Sequence, residues 1–121
     1  MDTTPLQLAA AVYVLKCHGP TPDQPRFYIG QTMSLNRLAQ HWSRRGSTFT
    51  KTYKPISVDN FIYGAGPTTE RDETLRYIRM YGFNFPDGSP RVRGAGWCGL
   101  NCKPPCQQVL EESASGANQE T

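Results

Sequence analysis

Two short apolar stretches, Ala11-Val12-Tyr13-Val14-Leu15 and Phe27-Tyr28-Ile29-Gly30, stand near the start of the chain, bounded by Gly and Pro. Their β-branched and aromatic residues favour extended chain, predicting paired strands over about 9–16 and about 26–31. The first is nearly all apolar, as in a strand buried on both faces. The loop between them, 17–25, holds three prolines and predicts neither helix nor strand.

The period then changes. Leu35, Leu38, Ala39 and Trp42 recur at i, i+3, i+4 and i+7, with Ser34 as a good N-cap and Gly46 as a good stop. A helix from Leu35 to about Arg45 is predicted, with Arg37, His41 and Arg44 sharing a different, wetter face. Ile56 to Tyr63 alternates apolar and polar residues and reads as a third strand. After the break at 64–67, Thr68 or Thr69 caps a helix over about 70–81. Its apolar side is Leu75, Ile78 and Tyr81, and Gly82 ends it. Residues 87–96 read as a turn region carrying Arg91 and Arg93, and Trp97 beyond it is expected to cover the core. From Gln107 apolar residues are few, which predicts disorder.

These elements predict an α+β fold, a small, mainly antiparallel three-stranded sheet flanked by helices. Residues 1–8 are expected as a loose lead-in, 9–106 as one domain and 107–121 as a disordered tail. A chain of 121 residues has room for one small domain and no second of useful size.

Charge sharpens the picture. The net charge is +3, yet all 13 Lys and Arg precede Cys106, so residues 1–106 carry +6. Between Asp23 and Asp59 there is no acid, while Arg26, Arg37, Arg44, Arg45, Lys51 and Lys54 all fall there. A basic stripe of this kind suits a polyphosphate partner; a solvated surface with excess Arg is the plainer reading. Residues 47–55, rich in hydroxyls, basic groups and aromatics, read as a phosphate-contacting loop or as an ordinary solvated connection. The N-terminal apolar run has no basic region ahead of it, is interrupted by Gln7 and is followed by Lys16. Neither a signal peptide nor a membrane span is expected, and a reducing intracellular setting is the default.

Ala11-Val12-Tyr13 and Tyr28-Ile29-Gly30, followed by Arg37 and by His41 one helical turn later, resemble the GIY-YIG nuclease family. Ala11 stands where the family motif has Gly. The order Glu70, Tyr81-Gly82 and Val92-Arg93-Gly94-Ala95-Gly96-Trp97 resembles a subgroup in which a "VRGG"-like turn follows the glutamate helix. The resemblance covers roughly residues 10–98 and implies a GIY-YIG-like fold and metal-dependent cleavage of DNA. It makes Tyr13 the general base or the relay for the water's proton, and Tyr28 the residue that orients phosphate or water. Arg37 would stabilise transition-state charge, and His41 would donate a hydrogen bond to phosphate or to a tyrosine oxygen. Glu70 would hold Mg²⁺ or Mn²⁺, with Glu73, one turn on, as the alternative. A single carboxylate suits Mg²⁺, which keeps much of its hydration. Gly30, Arg44, Arg45, Lys51, Lys54 and Arg93 complete the expected nucleic-acid-binding set. Family members that cut defined sequences usually carry a separate DNA-reading domain, so selectivity is expected from substrate shape or a targeting protein partner.

Taken singly, Tyr13 and Tyr28 also read as core aromatics, and acids in a first helical turn complement the helix dipole whatever else they do. Cys98, Cys102 and Cys106 are equally spaced, and with Cys17 or His18 they would make a structural zinc site; a disulfide or free thiols are the alternatives. Two rival functions follow: a nucleic-acid-binding module without turnover, and an interaction protein fastened by zinc.

Overall fold

The structure, a computed structural model, describes residues 10–42 and 46–112. Strand β1 (Ala11–Cys17) forms its centre. Val12, Val14 and Leu15 have no exposed surface and Tyr13 almost none, so each contributes roughly 1.5–3 kcal/mol of burial. Both flanks of β1 are paired, antiparallel to β2 (Arg26–Thr32) and to β3 (Pro55–Tyr63). A fourth strand, β4 (Val92–Gly94), runs parallel to β2, and the order is β3-β1-β2-β4.

The expected sheet of three antiparallel strands is therefore a four-stranded mixed one. Val92-Arg93-Gly94 was expected in a turn because glycine dominates it. The outer edge of β2 has backbone groups to satisfy, however, and the N–H of Phe27 donates to the Arg91 carbonyl at 2.7 Å. Gly94 permits this approach, since a Cβ there would meet the Ile29 carbonyl and the Thr74 hydroxyl at 2.7 Å.

Alternation along the strands separates two cores. Val12, Val14, Phe27 and Ile29 face helix α3 (Thr69–Tyr81), packing with Tyr77, Ile78, Phe83 and Val92. Trp97 lies partly buried against this cluster, as expected of it. Tyr13, Leu15, Cys17 and Tyr28 face the other way, toward Phe49 and Leu38. Those two residues come from α2 (Thr48–Thr52) and α1 (Leu35–Trp42).

Helix α2 replaces the loop or solvated connection expected over 47–55. Ser47 caps it by accepting from the Thr50 N–H, and Phe49 and Thr50 are buried. Five residues were too few to show a helical period. In α1 the inward face includes His41 instead of Ala39, which is exposed. The side chains of Leu35 and Trp42 and the stretch 43–45, with the expected helix end at Arg45, lie outside the described residues. In α3 the Thr68 side chain makes no capping bond; Gly82, at φ 96°, provides the stop.

Residues 107–112 are a short helix, α4, where disorder was expected, and Leu110 packs against the α3-side core. The rest of the expected tail, 113–121, and the lead-in, 1–8, lie outside the described residues. Among the described residues no helix is long and apolar enough to cross a membrane.

Candidate active site

Tyr13 and Gly30 are direct partners across the β1–β2 ladder. The Tyr13 ring lies over Gly30 so closely that a Cβ there would fall on its phenol oxygen and ring. Gly30, expected among the nucleic-acid contacts, is thus buried beneath Tyr13, where its missing side chain makes room for the phenol.

The phenol oxygen is 2.8 Å from His41 Nε2. On the ring's other side, Nδ1 is 2.7 Å from the Thr50 hydroxyl oxygen. That hydroxyl also lies 3.2 Å from the Ser47 carbonyl and 3.2 Å from the Ser47 hydroxyl. A neutral imidazole carries one ring proton, so the ring donates to one of the Tyr13 and Thr50 hydroxyls and accepts from the other. His41 was expected to bond to phosphate or to a tyrosine oxygen, and the oxygen it meets is that of Tyr13. Gly46 admits this packing, because a Cβ there would strike both His41 Nδ1 and the Thr50 hydroxyl.

His41 was expected on the wet face of α1 but is 1% exposed. Burial, and after it the nearby Arg37 charge, pushes its pKa down to about 4. At neutral pH the ring is uncharged and able to accept a proton. Tyr13 is displaced well above the ordinary phenol range, first by burial and then by the neighbouring Tyr28; Glu70 and Cys98 add to the rise and Arg37 opposes it. Tyr28 is also raised by burial, then by Cys98, while a Ser47 hydrogen bond and Arg37 oppose the rise. Its ring stands 5.4 Å from that of His41 and stacks on Phe49 at 5.7 Å.

Two carboxylates compete for the metal role, and their surroundings differ. The Glu73 carboxylate accepts from Asn60 Nδ2 at 2.7 Å and from two Arg76 nitrogens at 2.8 Å. Burial would raise it, but these bonds outweigh burial and hold it below the usual carboxylate range. Glu70, in the first turn of α3, is half-buried and raised by desolvation. Among the described residues its carboxylate has no hydrogen-bond partner, and its charge acts on Tyr13, Tyr28 and Cys98. The site cluster is thus Tyr13, Tyr28, Arg37, His41 and Glu70, joined by Ser47, Thr50 and Cys98. Ser47 carries a sequence signal as an N-cap, but nothing local ties Thr50 to a histidine nine residues earlier.

The cysteines take different surroundings. Cys98 donates to the Ala95 carbonyl beside Tyr28, and its thiol is raised by burial and then by the Glu70 charge. Cys102 packs against the α3-side core and Cys106 is exposed. Cys17 is buried in the cluster with Tyr13 and Tyr28, on the face of the sheet away from α3, where burial pushes its thiol up to about 12. His18 is exposed. Among the described residues no three of His, Cys, Asp and Glu gather where they could hold an ion.

Arg93 corrects another expectation. It is 1% exposed and so is not a surface contact for nucleic acid. Nε donates to the Gly99 carbonyl at 2.8 Å, Nη1 to those of Phe83 and Val92, and Nη2 to Asn84 Oδ1 at 2.6 Å and the Leu100 carbonyl at 2.9 Å. The planar fork ties β4 to the segment that carries Cys98. Lys51 and Lys54 are exposed, as phosphate contacts must be. Tyr53, beside them, lies under the Arg26 guanidinium at 3.8 Å. Arg44 and Arg45 lie outside the described residues.

No family model, curated protein or solved structure matches the chain.

Proposed function

We propose that this chain is a GIY-YIG-type endonuclease that hydrolyses DNA phosphodiester bonds with Mg²⁺ or Mn²⁺ held at Glu70. The observation that carries the reading is the buried Tyr13–His41 hydrogen bond, at 2.8 Å, inside the electrostatic reach of Arg37 and Glu70. Two aromatic core residues need no such partners; a proton pathway does.

A hard divalent ion fits Glu70, an oxygen donor raised by burial and carrying no hydrogen bond from the described residues. When bound, the ion supplies charge neutralisation at the phosphoryl and leaving oxygens and offsets the carboxylate charge that raises both phenols. In the free protein the proton sits on Tyr13, because the phenol is raised and the imidazole lowered. Burial is the larger cause that depresses His41 and the Arg37 charge the second, and a phosphodiester beside Arg37 cancels the second. Tyr13 then passes its proton to His41 Nε2 as it takes one from the attacking water. The water oxygen bonds to phosphorus, the P–O ester bond breaks, and the departing oxygen takes a proton from solvent. Tyr28 orients the water or phosphate, and Arg37 neutralises the charge that grows on the phosphoryl oxygens. Lys51 and Lys54 contact the DNA backbone, and selection of a site rests on substrate shape or a targeting protein.

Nicking of a labelled DNA panel by wild type and Glu70→Ala in Mg²⁺, Mn²⁺ and EDTA tests this. Cutting is expected in either metal and not in EDTA, and the variant should lose at least 100-fold in rate. A wild type that binds DNA but leaves it intact in every metal replaces this reading with the binding module.

A further inference from the structure

Beyond Tyr13 the cover over its face of the sheet ends. β3 is an edge strand, and Val58, Phe61 and Tyr63 on it are 43%, 39% and 60% exposed. Their register partners on β1 are Leu15, Tyr13 and Ala11, which are 0–6% exposed. Partners across a ladder project to the same side, so Phe61 stands immediately beside Tyr13 and Tyr63 one pair further along. The register shift at Val14/Leu15 leaves Asp59 out of pair and brings Phe61 onto the same side as Val58. Ile62, by the same parity, turns to the α3-side core.

We propose that Phe61 and Tyr63 form a stacking platform for unpaired bases of a nucleic-acid strand whose phosphate lies at Tyr13. The substrate of the site would then carry single-stranded nucleotides beside the scissile bond. The inference rests on the endonuclease reading and names its substrate class.

Charge is arranged to suit this occupant. Asp59 on β3 and Glu73, which bonds to Asn60 of β3, are both engaged on the α3 side: Asp59 accepts from the Tyr77 hydroxyl at 2.6 Å and Glu73 from Asn60 and Arg76. The chain between Asp23 and Asp59, which supplies α1 and α2, holds no acid. In a duplex the faces of the bases are already stacked and only phosphates are presented. Open rings one strand away from the catalytic phenol add affinity only for bases that are unstacked. Strand addition by a second copy is the competing use of an open edge. Pro55 and the two register shifts along β3 interrupt the regular ladder which that use requires.

The test is fluorescence anisotropy in EDTA, with a labelled single strand, a duplex with an overhang and a blunt duplex. Wild type should prefer the first two. Phe61→Ser/Tyr63→Ser should weaken single-strand binding about tenfold or more and leave blunt-duplex binding and the thermal midpoint nearly unchanged. Phe61→Trp should retain the wild-type preference, and 2-aminopurine in the strand should lose its protein-dependent quenching only in the double variant. Equal single-strand affinity of double variant and wild type would overturn the proposal. So would a wild-type dimer that the double variant converts to monomer without any change in affinity. Because no turnover is needed, the two readings separate: a wild type that binds with this preference but cuts nothing still supports the platform and removes the nuclease. A wild type that binds no nucleic acid overturns both.

Discussion

At His41 one ring is held on both sides, by Thr50 through Nδ1 and by Tyr13 through Nε2, and burial keeps it neutral down to about pH 4. In the unfolded chain the same group binds a proton below about pH 6.5. Between those values the unfolded state holds the extra proton, so stability falls as pH drops from about 6.5 to 4, by up to about 3 kcal/mol from this residue. Urea midpoints at pH 7, 5.5 and 4.5 should show that loss in wild type and a smaller one in His41→Gln. Thr50→Val removes the partner of His41 Nδ1 and leaves a buried polar atom unpaired, which should cost about 1–3 kcal/mol. It should also slow nicking and move the acid limb of its pH profile, and Thr50→Ser should restore both. A Thr50→Val enzyme with the wild-type profile would remove Thr50 from the proton pathway.

Elements differ in how far their own residues declare them. The strands β1, β2 and β3 and helix α3 fall within about two residues of their expected bounds, because apolar period and breakers mark them locally. Helix α2, strand β4 and α4 were missed, since each is short and its form depends on what it packs against. β4 exists because β2 has an open edge, and Arg93 on it looked like a basic surface residue until the sheet enclosed it. Its guanidinium is buried among carbonyls, and a lysine could not supply that fork. Arg93→Lys should therefore lower stability by about 3–5 kcal/mol in urea titration. A small loss of stability together with weaker DNA binding would return Arg93 to the contacting surface.

Across the whole molecule the charges sort by role. Arg26 and Arg93 are buried and spent on carbonyls or rings, whereas Lys51 and Lys54 remain in solvent. Net charge alone therefore overstates what meets a polyanion. Lys51→Gln/Lys54→Gln should leave the thermal midpoint nearly unchanged and weaken DNA binding. The slope of log affinity against log salt should become shallower by roughly 1.5 for the pair, read from titrations between 50 and 200 mM salt. An unchanged slope would place the phosphate path elsewhere.

The sequence by itself determined the α+β class, the central place of β1, the two tyrosines on paired strands and a helix that carries Glu70 in its first turn. Each of these rests on periodicity, caps and breakers, which act over a few residues. Tertiary structure alone decided the rest: that His41 turns inward to Tyr13, that Thr50 meets its other ring nitrogen, and that Glu73 is committed to Asn60 and Arg76 while the Glu70 charge reaches the phenols. It also decided that Arg93 is enclosed and that Phe61 and Tyr63 stay open beside the site. The reason is that burial and hydrogen bonding between residues far apart in the chain set both exposure and protonation. No local pattern encodes which partner a side chain will meet.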